Sequence, residues 1–210
     1  MSEVINPADA TAADQVHPCW SCKGPVDRRA LFCHTCSAVQ PPSTLDHFTR
    51  LGLTPRFDVD LAELERNYFR FQRIVHPDRF AAKSAREKAL SQAQAVAFND
   101  AYESLKHPVT RALYLLEVMG APLPRGEHTV KDPALLMAAL QDREALDDAK
   151  TLADIDALIA KSQQAFDKTM ATLSGHFAAQ EFKSAQLAVL RLRYVEKLLE
   201  EARIRRAKLV

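Results

Sequence analysis

The chain has 210 residues, 28 Lys and Arg against 27 Asp and Glu for a formal net charge of +1, and 47% hydrophobic side chains. That composition excludes a disordered polyelectrolyte, the near-zero charge excludes a general attraction to nucleic acid or an anionic membrane, and no run approaches the roughly 18 apolar residues a membrane span needs. With only 5 glycines and abundant Ala, Leu, Glu, Lys, Gln and Arg, an all-α fold of one ordinary or two small domains is expected.

Residues 1–17 are polar and aperiodic and read as a disordered tail. They carry Glu3, Asp9 and Asp14 and no basic side chain before Lys23, unlike a secretory signal or an Arg-rich transit peptide. A cytoplasmic chain of bacterial type is expected, with a processed mitochondrial form as the alternative. Residues 18–40 hold all four cysteines in "CWSCKGPVDRRALFCHTC". Two C-x2-C pairs separated by ten residues can complete a tetrahedral shell from Cys19, Cys22, Cys33 and Cys36. Zinc is the expected occupant and iron in a rubredoxin-like site the alternative. A saturated shell has no open position, so the site is expected to be structural, with His34 outside it. Gly24-Pro25 is expected to turn a tight hairpin within the spacer.

"QPPST", 40–44, is an extended linker because consecutive prolines exclude helix. Asp60 is a suitable N-cap for a helix in which Leu61, Leu64, Tyr68, Phe71 and Val75 share one face. Pro77 ends that helix at His76. A second run places Ala95, Phe98, Ala101, Tyr102 and Leu105 on one face and closes near His107-Pro108. The two form an antiparallel hairpin, with "LDHFTRLGL", 45–53, lying across it. "TRALYLLEVMG", 110–120, adds a short helix ending at Gly120.

The corner between the two long helices reads His76-Pro77-Asp78. His and Asp can form a base–orienter pair, but no Ser or Cys nucleophile is placed beside them, and the chain is not expected to be an enzyme. Two readings remain: a plain turn in which Asp78 caps backbone amides, and a rigid docking loop. Residues 66–88 contain seven cations against Asp78 and Glu87, a net charge of +5. Residues 132–160 contain Arg143 and Lys150 against seven carboxylates, a net charge of −5. Two partner surfaces or two solvated helix faces would both produce this.

"APLPRGEHTVKDP", 121–133, reads as an interdomain linker. Three helical runs follow, near 133–148, 151–173 and 178–207, and their short loops imply an antiparallel three-helix bundle. In the first, Leu135, Leu136, Met137 and Leu140 make an apolar stripe wider than one face needs. On periodicity it is core or a partner patch.

At "YFRFQRIVHPDRF" and "FNDAYESLKHPVTRALYLL" the chain resembles a J-domain, covering 45–120. "HTVKDPALLMAALQDREALDD" and "LRLRYVEKLL" resemble the HscB (Jac-type) co-chaperones of iron–sulfur cluster assembly, and "CWSC…CHTC" before "QPP" resembles the tetracysteine extension of some members. The resemblance implies three parts: the metal-binding segment 18–40, the J-domain, and a scaffold-binding three-helix domain at 133–207. It further implies that His76, Pro77 and Asp78, with Arg70, Arg73 and Arg79, dock on a DnaK/HscA-type chaperone and stimulate its ATPase. The implied contacts for an IscU-type scaffold are Leu136, Met137, Leu140, Glu144 and Tyr194. Gln141 stands where the family has an acidic residue, and Tyr194 where its bacterial form has phenylalanine. The competing function is a zinc-binding nucleic-acid or redox module with a helical appendage. Against it, residues 18–40 offer only Lys23, Arg28 and Arg29, opposed by Asp27.

Overall fold

The structure is a computed structural model that describes residues 16–124 and 132–209. The tail expected over 1–17 lies outside the described residues as far as 15, as does the linker over 125–131, while residues 16 and 17 belong to a β-strand instead. Among the described residues there are seven α-helices and one small sheet: β1 (Val16–Pro18), β2 (Pro25–Asp27), α1 (His47–Arg50), α2 (Leu61–Val75), α3 (Ala85–Lys106), α4 (Pro108–Val118), α5 (Pro133–Asp148), α6 (Leu152–Ala178) and α7 (Phe182–Leu209). A 3-10 turn, Pro77–Phe80, separates α2 from α3. The all-α expectation therefore holds outside the cysteine segment.

The chain divides into two compact units. The first runs to Pro55 and resumes over Val59–Lys106, and the second comprises Arg56–Asp58 and His107–Val210. The first thus closes at Lys106, and the helix after it falls in the second. The reason is α4: its buried face of Val109, Ala112, Leu115 and Leu116 belongs with α7.

In the first unit α2 and α3 form the antiparallel hairpin, and α1 packs on α3. Leu64, Val75, Phe98, Ala101 and Leu105 are buried between them, with Phe48 and Leu51 beneath. Phe71 stacks on Phe98 at 4.8 Å between centroids, and Tyr68 on Tyr102 at 4.2 Å. Leu61, expected on the buried face, is instead 53% exposed. As the first helical residue after the Asp60 cap, it precedes the packed turns. Asp60 accepts the amides of Ala62 and Glu63, as its N-cap position requires.

In the second unit α6 and α7 form a long antiparallel pair joined by a turn at 179–181, and α5 packs against both. The helix expected to stop near 173 runs on through Gly175 to Ala178, because the reversal is made by Gln180 in the left-handed region at φ 56°. Ile155, Leu173, Ala185, Val189 and Leu192 are fully buried. Residues 56–58 are held in this unit. Arg111 is 7% exposed and its Nε donates to the Phe57 carbonyl at 2.8 Å. Phe57 stacks on Phe177 at 5.4 Å, and the Ser174 hydroxyl donates to the Asp58 carboxylate.

Two helix starts are closed reciprocally. Ser84 and Glu87 exchange hydrogen bonds before α3, and Thr151 and Asp154 before α6. The serine and threonine hydroxyls and adjoining amides hold the Glu87 and Asp154 carboxyls below their ordinary values of 4.5 and 3.8. A lowered folded-state pKa stabilises above the unfolded value and is lost as pH falls through the folded one. Helix content followed by circular dichroism is therefore expected to be flat near neutrality and to fall only below about pH 4.

Candidate functional site

The His-Pro-Asp corner is built by a helix that cannot continue. Pro77 lacks an amide proton, so the carbonyls at the end of α2 need other donors. Ser91, fully buried on α3, supplies one: its hydroxyl donates to the Val75 carbonyl at 2.7 Å. Phe80, 6% exposed, anchors the far side of the turn, which packs on α3. Between these anchors His76 and Asp78 project outward, their side chains 53% and 91% exposed. His76 Nδ1 accepts the Asp78 amide at 3.3 Å and lies 3.5 Å from the Asp78 carboxylate. The turn is thus capped by the imidazole. Among the described residues the Asp78 carboxylate caps no amide, which removes the main argument for a plain turn.

Among the described residues, no carboxylate lies within 4.0 Å of the cationic groups of Arg70, Arg73 and Arg79. Arg70, Arg73 and Arg79 are exposed. Arg79 reaches the Arg73 carbonyl, at 3.4 Å, and Arg70 lies over the Phe71 ring. Arg66 of α2 lies 4.0 Å from the Asp60 carboxylate. The acidic stretch differs. Asp142 meets Lys161, Asp147 meets Arg143 and Arg205, and Asp156 meets Arg206 at 2.6 Å. Much of that −5 therefore ties helices of the bundle to one another, leaving Glu144 exposed and outside those pairs.

The α5 stripe splits in two. Leu135 and Leu146 are buried, while Leu136, Met137 and Leu140 are 44%, 60% and 59% exposed. At about 100° per residue, positions 136, 137, 140 and 144 occupy one arc and 135 and 146 the opposite side. Periodicity could not separate these stripes because they lie on one helix. Tyr194, 40% exposed on α7, lines a groove of about 250 Å³ with Leu135, Ala138, Ala139 and Leu198.

The four cysteines come together as the spacing required. Their Sγ atoms all lie within 4.8 Å of one another, with Cys19–Cys36 at 3.7 Å and Cys22–Cys33 at 3.6 Å. A tetrahedron of thiolates about 2.3 Å from a central ion has edges of about 3.8 Å, so the donor set fits zinc or iron. Both halves share one backbone design. Lys23 and Ser37, each following the second cysteine of its pair, have φ of 65° and 58°. The Lys23 amide donates to the Cys19 carbonyl and the Ser37 amide to the Cys33 carbonyl. A Cβ on Gly24 would sit 3.1 Å from Thr35 Oγ1 and 3.4 Å from Cys22 Sγ, which explains a glycine there. The hairpin does form, but β1 and β2 flank the first cysteine pair, where the sequence had suggested a turn at Gly24-Pro25.

Thiolate formation is prepared unevenly. Burial raises the Cys19 thiol, but the amides of Cys22 and Ser21 and the Gln40 side chain outweigh it and bring it down to about 6. The Cys36 amide lowers Cys33, while Cys22 is pushed up to about 11: the Gly24 amide lowers it, but Cys36, burial, Cys33 and Cys19 together prevail. His34 is exposed and stands outside the cluster.

Four contributors lay beyond the sequence reading: Ser91, Gln40, Gln94 and Trp20. A buried serine or glutamine has no periodic signature, and a lone tryptophan beside a cysteine could equally be surface. Ser91→Ala is expected to leave the Val75 carbonyl unsatisfied and to destabilise the first unit by about 1–3 kcal/mol, measured by urea denaturation.

A helical hairpin broken by an outward His-Pro-Asp corner, followed by a helical bundle, defines a J-domain co-chaperone. Residues 131–203 match the HSCB C-terminal oligomerisation domain family. The mouse iron–sulfur cluster co-chaperone protein HscB is 32% identical over 205 residues, covering 94% of this chain and 86% of that protein. The human co-chaperone HscB crystal structure superposes with a TM-score of 0.83 at 30% identity, covering 91% of this chain and 99% of that one. Chaperone HscB from Vibrio cholerae does so with a TM-score of 0.69 at 30% identity, over 79% and 100%. The chain belongs to the HscB family of iron–sulfur cluster co-chaperones. Among the described residues no helix is long and apolar enough to cross a membrane.

Proposed function

We propose that this protein stimulates the ATPase of a DnaK/HscA-type chaperone and delivers an IscU-type scaffold to it, promoting cluster transfer. The observation that carries the reading is the exposure of His76 and Asp78 on a corner anchored from behind by Ser91 and Phe80. Asp78 accepts a charge-assisted hydrogen bond from a chaperone arginine, and Arg70, Arg73 and Arg79 speed encounter with an acidic surface. Pro77 holds the two side chains at a fixed angle, so little conformational freedom is lost on docking. Leu136, Met137, Leu140, Glu144 and Tyr194 form the scaffold face. No residue of the chain takes part in hydrolysis. The four thiolates hold a structural zinc.

The test is the chaperone's ATPase rate with this protein, with the scaffold, and with both. Each alone is expected to give a modest increase, and the two together more than the sum of both. An additive response would remove the delivery role. For the metal, native mass spectrometry of the full chain is expected to find one zinc, lost in Cys22→Ser and Cys33→Ser.

A further inference from the structure

The first half of α3 buries no apolar side chain fully, leaving Leu90, Ala93, Ala95 and Ala97 half-buried. Over residues 85–97 the buried side chains are Ser91 and Gln94, whereas the following turns bury Phe98, Ala101 and Leu105. A helix segment seated by polar side chains is only as firm as what those side chains grip. Ser91 grips the end of α2. Gln94, 2% exposed, donates to the Gln40 carbonyl at 3.0 Å, and the Arg86 guanidinium lies 4.4 Å over the Trp20 ring. Both of these partners belong to the cysteine segment. Gln40, 1% exposed, donates in turn to Cys19 Sγ at 3.4 Å and to the Ala38 carbonyl at 2.7 Å, and Trp20 Nε1 donates to the Val39 carbonyl.

The cysteine segment cannot hold this shelf unaided. Its own buried cluster is Cys19, Val26 and Cys33 with Ala30 against them, far less than a segment this short needs to stay folded without a metal or disulfide. We propose that the tetracysteine knuckle is a metal-dependent brace for the His-Pro-Asp corner. With the four thiolates joined through an ion, Trp20 and Gln40 form a shelf that seats Arg86 and Gln94. The half-helix so fixed presents Ser91 to the Val75 carbonyl and supports Phe80. When the ion is removed the shelf comes apart, and the corner loosens although none of its own residues has changed. Gln40, Gln94 and Arg86 are positioning residues in this scheme. Only its consequence for chaperone stimulation rests on the docking reading.

The experiment uses the full chain, zinc-loaded or stripped by a chelator, and follows amide hydrogen exchange at Arg79 and Ala81, whose amides close the turn on the His76 and Asp78 carbonyls at 3.0 and 3.2 Å. Trp20, the single tryptophan, reports separately by fluorescence whether the knuckle has opened. Stripping is expected to shift Trp20 emission and to speed exchange at both amides by about tenfold. The double variant Arg86→Ala, Gln94→Leu is expected to bind zinc as the parent does, to exchange fast even when loaded, and to respond no further to stripping. Exchange that stays slow after Trp20 emission has shifted would overturn the brace, as would a double variant that keeps the parent's metal dependence. Neither readout involves the chaperone, so failure here is distinct from failure of the docking role.

Discussion

His76→Gln is expected to lower chaperone stimulation by about tenfold or more while leaving folding and scaffold binding unchanged. The reasoning starts from exposure. The ring is half in solvent, so its loss falls among substitutions that shift stability by only about 0.5 kcal/mol. Its approaches to the Asp78 amide at 3.3 Å and the Asp78 carboxylate at 3.5 Å are at the weak end of hydrogen bonding. A large functional loss without a change in melting temperature therefore locates the ring's role in a partner. Asp78→Asn should act similarly, because it removes the acceptor charge and little else. Arg70→Ala and Arg73→Ala should act differently: as exposed cations they set encounter rate, so their effects should shrink as salt rises, whereas that of His76→Gln should persist. Stimulation by His76→Gln equal to the parent's at saturating concentration would remove the corner from the mechanism.

The corner was legible because proline punctuates a helix so strongly. Pro77 fixes the end of α2, and a His and an Asp beside such a break cannot both be buried cheaply. The cysteines were legible for a similar reason, since C-x2-C spacing has few structural solutions. What resisted reading was anything that depends on a partner distant in sequence. Leu61 belongs to the periodic face of α2 yet, as its first residue, stays exposed. The run read as ending near 173 continues through Gly175 to Ala178, and the left-handed residue is Gln180. The apolar face of α4 has no visible partner in the sequence, and its contact with α7 is made across more than 60 positions. Gln40 and Gln94, buried and bonded across 54 positions, carry no local signal at all.

The triple variant Leu136→Ala, Met137→Ala, Leu140→Ala is expected to weaken scaffold binding by about a hundredfold with no loss of stability. These side chains are already in solvent, so truncating them opens no cavity, and alanine is the better helix former. Leu135→Ala is the control on the same helix. It is 8% exposed and faces the bundle, so its truncation should cost about 2–4 kcal/mol in unfolding free energy. The two variants remove the same kind of atoms a single residue apart, and only orientation distinguishes them. Glu144→Gln tests the edge of the patch. Being exposed and outside the pairs made by Asp142, Asp147 and Asp156, it should change affinity and salt dependence while leaving the bundle's melting temperature unmoved. Scaffold titrations by isothermal calorimetry, paired with thermal melts of each variant, separate the outcomes. If the triple variant melted early and bound normally, the stripe would be packing for the bundle, and the cargo face would have to lie elsewhere on α5–α7.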